Sequence, residues 1–103
     1  MITYEVNLDV DTRLRVDYLA WLRRHVGEML KFDGFQAGLI EEVIEPAAAA
    51  GRICLCVRYQ VRDQASLDDY LARHAARMRE DGLARFGDGF RASRRVLHAL
   101  PPE

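Results

Sequence analysis

The chain has 103 residues and a mass of 11.8 kDa, and half of its residues are hydrophobic, enough for one core of its own without disulfide or metal staples. Fifteen basic residues against sixteen acidic ones leave a net charge of -1, and the isoelectric point is near 6.3. Such a balance provides no field to hold nucleic acid or anionic lipid, and no apolar run approaches the length of a membrane span. The expectation is one domain over residues 1–103 with neither nucleic acid nor membrane as partner.

Met1 leads straight into a strand-like run carrying Glu5, Asn7 and Asp9, so no signal peptide is expected. Cys54 and Cys56 lie two apart in one strand and cannot close a long loop on each other, which points to a reducing, cytoplasmic location. Charge is uneven along the chain. Residues 1–51 hold five basic and nine acidic side chains, whereas residues 52–103 hold ten and seven.

In the first strand Ile2, Tyr4, Val6, Leu8 and Val10 alternate with Thr3, Glu5, Asn7 and Asp9, the period of a sheet element with one buried face. Asp11 or Thr12 can cap the helix that follows, whose apolar positions Leu14, Tyr18, Trp21, Leu22, His25, Val26 and Met29 recur at three- and four-residue steps. Asp33-Gly34 ends it, and an extended pattern resumes from Phe35 to Glu45 with its facing left open. Pro46, four alanines and Gly51 then form a hairpin loop. From Arg52 to Val61 the alternation is the clearest in the chain and marks a central strand. Either Asp63 or a Ser66/Asp69 capping box starts a second helix with Leu67, Tyr70, Leu71, His74, Ala75 and Met78 on its stripe. Gly82 is expected to kink or interrupt this helix before Leu83 and Phe86, and a last strand runs from Phe90 towards Leu100, ahead of Pro101-Pro102.

Tyr18-Leu19-Ala20 before Phe32-Asp33-Gly34-Phe35 is echoed by Tyr70-Leu71-Ala72 before Phe86-Gly87-Asp88-Gly89-Phe90, so one strand-helix-strand unit is written twice. The fold class is therefore α+β: a ferredoxin-like βαββαβ chain with a four-stranded antiparallel sheet in the order 4-1-3-2 and both helices on one face. RNA-binding domains share this topology, but Arg52 to Tyr59 lacks the glycine and stacking aromatics that read bases.

The run from Tyr70 to Ala75, with Gly82 to Asp88 and Arg94 to Leu97, resembles the C-terminal signature of a family of small bacterial proteins of unknown function, and Tyr4-Glu5-Val6 and the Trp21…His25 helix are similar to it too. Where many relatives continue from the helix histidine with Ile-Pro-Asp, this chain has Val26-Gly27-Glu28. The resemblance implies the fold of the dimeric α+β barrels, in which two subunits bring their sheets face to face, and hence a homodimer. That superfamily includes cofactor-free quinone-forming monooxygenases and haem-degrading oxygenases. Asn7, Trp21 and His74 match the residue types of the latter, yet Asn7 belongs to the face away from the helices, and no haem or other cofactor is expected.

Candidate site residues fall in two groups. Trp21, His25, Tyr59, Tyr70 and His74 form a candidate pocket; the plainer alternative makes the histidines core-edge residues that each hold a backbone carbonyl. Glu5, Asn7, Arg58 and Gln60, with Glu42, Arg94 and Arg95 on the outer strands, form a candidate sheet face for a twin, with Glu5 paired to Arg58. The cysteines have the wrong spacing for zinc and read as small buried hydrophobes, so no metal site is expected. The function expected is a homodimeric ligand-binding or interaction module. The alternative is a cofactor-free oxygenase or isomerase acting on a small aromatic substrate, with His25 or His74 as acid/base and Trp21, Tyr59 and Tyr70 as a hydrophobic box.

Overall fold

Alternation of apolar and polar residues places β1 (Ile2–Asp11) in the middle of a sheet, with Tyr4, Leu8 and Val10 buried on one side. In the computed structural model, which describes residues 1–102, β1 pairs antiparallel with β3 (Arg52–Val61) from Ile2↔Val61 to Asp11↔Arg52. On its other side β1 pairs with β4 (Phe90–His98), and β3 pairs outward with β2 (Phe35–Glu42), so the order is β2-β3-β1-β4 and every pairing is antiparallel. This is the 4-1-3-2 ferredoxin-like order. The helices α1 (Arg15–Met29), α2 (Gln64–Arg73) and α3 (Ala75–Phe86) cover one face, and Tyr18, Met29, Val57, Tyr59 and Leu67 between the layers are almost fully buried. Each such side chain stabilises the fold by roughly 1.5–3 kcal/mol relative to exposure.

Four local features differ from the sequence reading. The second helix breaks at His74, whose backbone (φ -129°, ψ -24°) separates α2 from α3, and not at Gly82. Gly82 stays helical and buried because a Cβ there would lie 3.0 Å from the Cη2 atom of Trp21; glycine lets α3 approach the indole. In β2 the register shifts between Phe35 and Ala37, so Gly38, Ile40 and Glu42 stand on the helix side with Phe35 while Ala37, Leu39 and Glu41 turn outward. The strands also stop early, β2 at Glu42 and β4 at His98.

Side-chain caps start α2 and the 3-10 turn ahead of α1, whereas α1 and α3 themselves begin without one. Asp63 accepts hydrogen bonds from the Ser66 backbone N–H (2.9 Å) and hydroxyl (2.7 Å), which begins α2 at Gln64. Asp11 accepts from the Arg13 N–H at 2.9 Å and caps a single 3-10 turn, Thr12–Leu14, ahead of α1. No helix of the described residues is long and apolar enough to cross a membrane.

Two layers make a thin slab of 41 × 35 × 18 Å. Its radius of gyration is 14.2 Å, where a chain of this length averages about 13 Å. Its accessible surface is 6674 Å2, roughly 770 Å2 above the ~5,900 Å2 typical of a monomer of this mass.

Candidate functional site

Between the sheet and helices α1 and α3 lies a cavity of about 270 Å3. Aromatic side chains dominate its wall: Tyr4 from β1, Tyr18 and Trp21 from α1, Tyr59 from β3, Tyr70 from α2 and Phe90 from β4. The helices cover β1, β3 and β2 but leave the inner side of β4 open beyond Phe90, where Ala92, Arg94 and Val96 are exposed. The cavity therefore reaches solvent between α3, through Arg79 and Leu83, and β4.

The hydroxyls on this wall are the informative atoms. Tyr4 accepts a hydrogen bond from Arg79 Nη2 at 3.1 Å. The hydroxyls of Tyr18, Tyr59 and Tyr70 make none with any described residue, although all three residues are buried. They are not sealed in, because the only fully covered side-chain polar atom without a partner among the described residues is His74 Nδ1. Burial raises the pKa of all three phenols, that of Tyr70 to about 12, so each keeps its proton at neutral pH and offers both a donor and an acceptor to the cavity.

One helix turn after Trp21, His25 stacks on the indole with ring centres 4.6 Å apart and planes 23° from parallel. The indole is held from the other side, where Trp21 Nε1 donates to Asp81 Oδ2 at 2.8 Å, and this bond together with Arg85 lowers the Asp81 pKa. Burial pushes the His25 pKa below its ordinary value; Asp81 opposes that shift and Arg94 adds to it. A half-buried, neutral imidazole thus faces the cavity at pH 7.

Of the five residues named for a pocket, Trp21, His25, Tyr59 and Tyr70 line this cavity. His74 does not. The helix break turns its ring onto Phe32 (4.6 Å, 27°), away from the cavity, with Nδ1 buried and unpaired in place of the expected bond to a carbonyl. Tyr4, Tyr18, Arg79 and Arg94 also line the cavity, beyond the residues that the sequence suggests. Tyr18 carried a signal, since it sits on the same helical stripe as Trp21. The arginines carried none, because their approach depends on how α3 packs against the sheet.

The opposite sheet face holds Glu5, Asn7, Arg58, Gln60 and Arg95, but its ion pairs differ from the expected Glu5–Arg58. Glu5 accepts from Arg95 Nε and from Asn7 Nδ2, both at 2.8 Å, and these bonds lower its pKa. Arg58 bonds Glu41 across the register-shifted β2. Glu42 and Arg94 do not belong to this face. Glu42 stands on the helix side and accepts from Arg15 of α1 at 2.9 Å, and Arg94, opposite Val6, points to the cavity. Cys54 and Cys56 are half-buried free thiols on the outer face, not core residues. Leu39 and Leu97 are exposed there, 55% and 38% accessible, beside Thr3, Glu5 and Gln60 in a shallow concavity.

Residues 1–100 match the family model described as "Domain of unknown function (DUF4286)", and the chain belongs to that family. No curated protein matches the sequence. Among solved structures, a Deinococcus radiodurans protein provisionally named an antibiotic biosynthesis monooxygenase is similar over 100% of this chain and 96% of its own (TM-score 0.74, 12% identity). A dimeric ferredoxin-like protein from an uncultured marine organism is similar over 99% and 97% (TM-score 0.70, 12% identity). An "ethd" family protein of Bacillus halodurans C-125 is similar over 97% and 100% (TM-score 0.65, 13% identity). These likenesses carry the fold.

Proposed function

We propose that the protein is a homodimeric, cytoplasmic binding module of one domain that holds a small, mainly aromatic molecule in the cavity between sheet and helices. The observation that carries this reading is the wall itself: stacked and tilted aromatic faces with three protonated phenol hydroxyls that no other described residue satisfies. The three hydroxyls open onto the cavity, where the polar group of a ligand can both donate to them and accept from them. Trp21 is the single tryptophan and stands in the cavity wall, so its indole N–H gives one reporter resonance. Titrating 15N-labelled protein with phenol, 4-hydroxybenzamide and 4-hydroxybenzoate is expected to move that resonance saturably for at least one probe, while glucose leaves it in place. No movement with any aromatic probe at millimolar concentration would refute the reading.

Pairing of two copies is supported by the outer sheet face. Its charges are largely neutralised within the chain, through Glu5–Arg95, Arg58–Glu41 and Asp9–Arg52, so a twin could cover them without stranding an ion. The surplus accessible surface is close to the ~800 Å2 that one partner contributes to a standard interface. The similar marine protein is itself described as dimeric. Free thiols at Cys54 and Cys56 accord with a reducing compartment.

His25 favours a second reading, a cofactor-free oxygenase or isomerase, because a neutral imidazole on a cavity wall is suited to take a proton from a bound phenol or activated C–H. A catechol probe tests it by oxygen uptake above the spontaneous rate. His25→Gln should abolish that excess without abolishing the indole shift; no excess with the unaltered protein removes the oxygenase.

A further inference from the structure

Among the described residues, Arg79 and Arg94 are the only permanently charged side chains in the cavity lining, and neither forms an ion pair with another of them. Eight of the fourteen arginines have carboxylate partners: Arg13, Arg15, Arg52, Arg58, Arg62, Arg73, Arg85 and Arg95. Arg79 is committed only to the neutral Tyr4 hydroxyl. Arg79 comes from α3 and Arg94 from β4, the two elements that border the mouth. The charge of Arg94 is felt at the wall, where it favours the deprotonated form of Tyr18, Tyr59 and Tyr70, while at His25 the Asp81 carboxylate behind Trp21 outweighs it. The cavity is thus aromatic within and cationic at its rim; among the described residues no carboxylate stands in its lining, and Asp81, behind Trp21, is itself paired with Arg85.

We infer that the molecule held here is a small aromatic carboxylate, its ring between the tyrosine and tryptophan faces and its acid group at the mouth between Arg79 and Arg94. The inference rests on the cavity being a ligand site and adds the charge of the ligand. Guanidinium–carboxylate bonds are roughly twice as strong as neutral ones, and partial desolvation at a cavity mouth preserves that advantage.

The test compares 4-hydroxybenzoate with its uncharged near-isostere 4-hydroxybenzamide, both followed by the Trp21 indole resonance at pH 7.5 in 50 mM salt. The acid is expected to bind at least about tenfold more tightly, with the margin shrinking in 0.5 M salt. Arg94→Met, and Arg79→Met with it, should bring the acid down to the affinity of the amide and leave the amide unchanged. Arg94 is exposed on an edge strand, so the single variant suffices if the double one fails to fold. Equal binding of acid and amide by the unaltered protein, or a preference that survives in Arg94→Met, overturns the inference while the cavity reading stands. Silence with both probes overturns the inference, and silence with phenol as well overturns the cavity reading with it.

Discussion

His25 shows how one residue ties burial to pH. Its pKa is depressed in the folded chain relative to 6.5, mainly by desolvation, so the unfolded chain binds more protons as pH falls through that value. Stability is therefore full above the unfolded pKa and declines as pH drops from 7.5 towards 5.5. The urea midpoint should follow that decline, and His25→Gln should flatten it; an unchanged slope would show that His25 is not the group responsible. Gly82 makes a steric statement at the same scale. Gly82→Val would drive its side chain into Trp21, whose Cζ2 and Cη2 atoms lie 3.3 and 3.0 Å from even a Cβ. A loss of about 1–3 kcal/mol by urea unfolding is expected, with a changed tryptophan emission spectrum as the indole moves. The Trp21–His25 neighbourhood was legible from four-residue spacing alone, but the Trp21–Asp81 bond joins residues 60 apart and leaves no local trace. Gly82 was visible as an exception, and its cause was not: close approach, not a kink.

Among the elements, α2 depends most clearly on one side chain. Asp63 satisfies both the backbone N–H and the hydroxyl of Ser66, and Arg62 adds a bond to the same hydroxyl at 2.9 Å. Asp63→Ala should cost about 1 kcal/mol in urea unfolding, whereas Asp69→Ala, which tests the rejected capping box, should cost no more than a few tenths. Periodicity placed all four strands and the helical stretches because alternation and the three-four step are direct consequences of burying one face. It could not choose a cap within one turn. Nor could it assign the facing of β2, since one extra residue between Phe35 and Ala37 inverts every side chain that follows. That inversion is why Glu42 was grouped with the outer face, and it also brings Glu41 opposite Arg58. Arg94 and Arg95 show the same limit on β4, where adjacent residues serve opposite faces and equal charge gives no hint which is which.

At the scale of the molecule, the sheet has two unlike faces. One holds the helices and an aromatic cavity. The other is a paired-charge surface with Leu39 and Leu97 exposed, and the slab it bounds is only 18 Å thick. Whole-chain architecture was the most legible level, because a repeated strand-helix-strand unit admits few connections. The cavity was not, since a void depends on where bulky side chains stop. The proposed covering of the outer face by a second copy is decided by the mass of the protein in solution. Size-exclusion chromatography with light scattering at micromolar concentration should give twice 11.8 kDa for the native chain and a shift towards the single-chain mass for Leu39→Arg. A native protein that remains at 11.8 kDa up to tens of micromolar would contradict a sheet whose outer face is built for a twin.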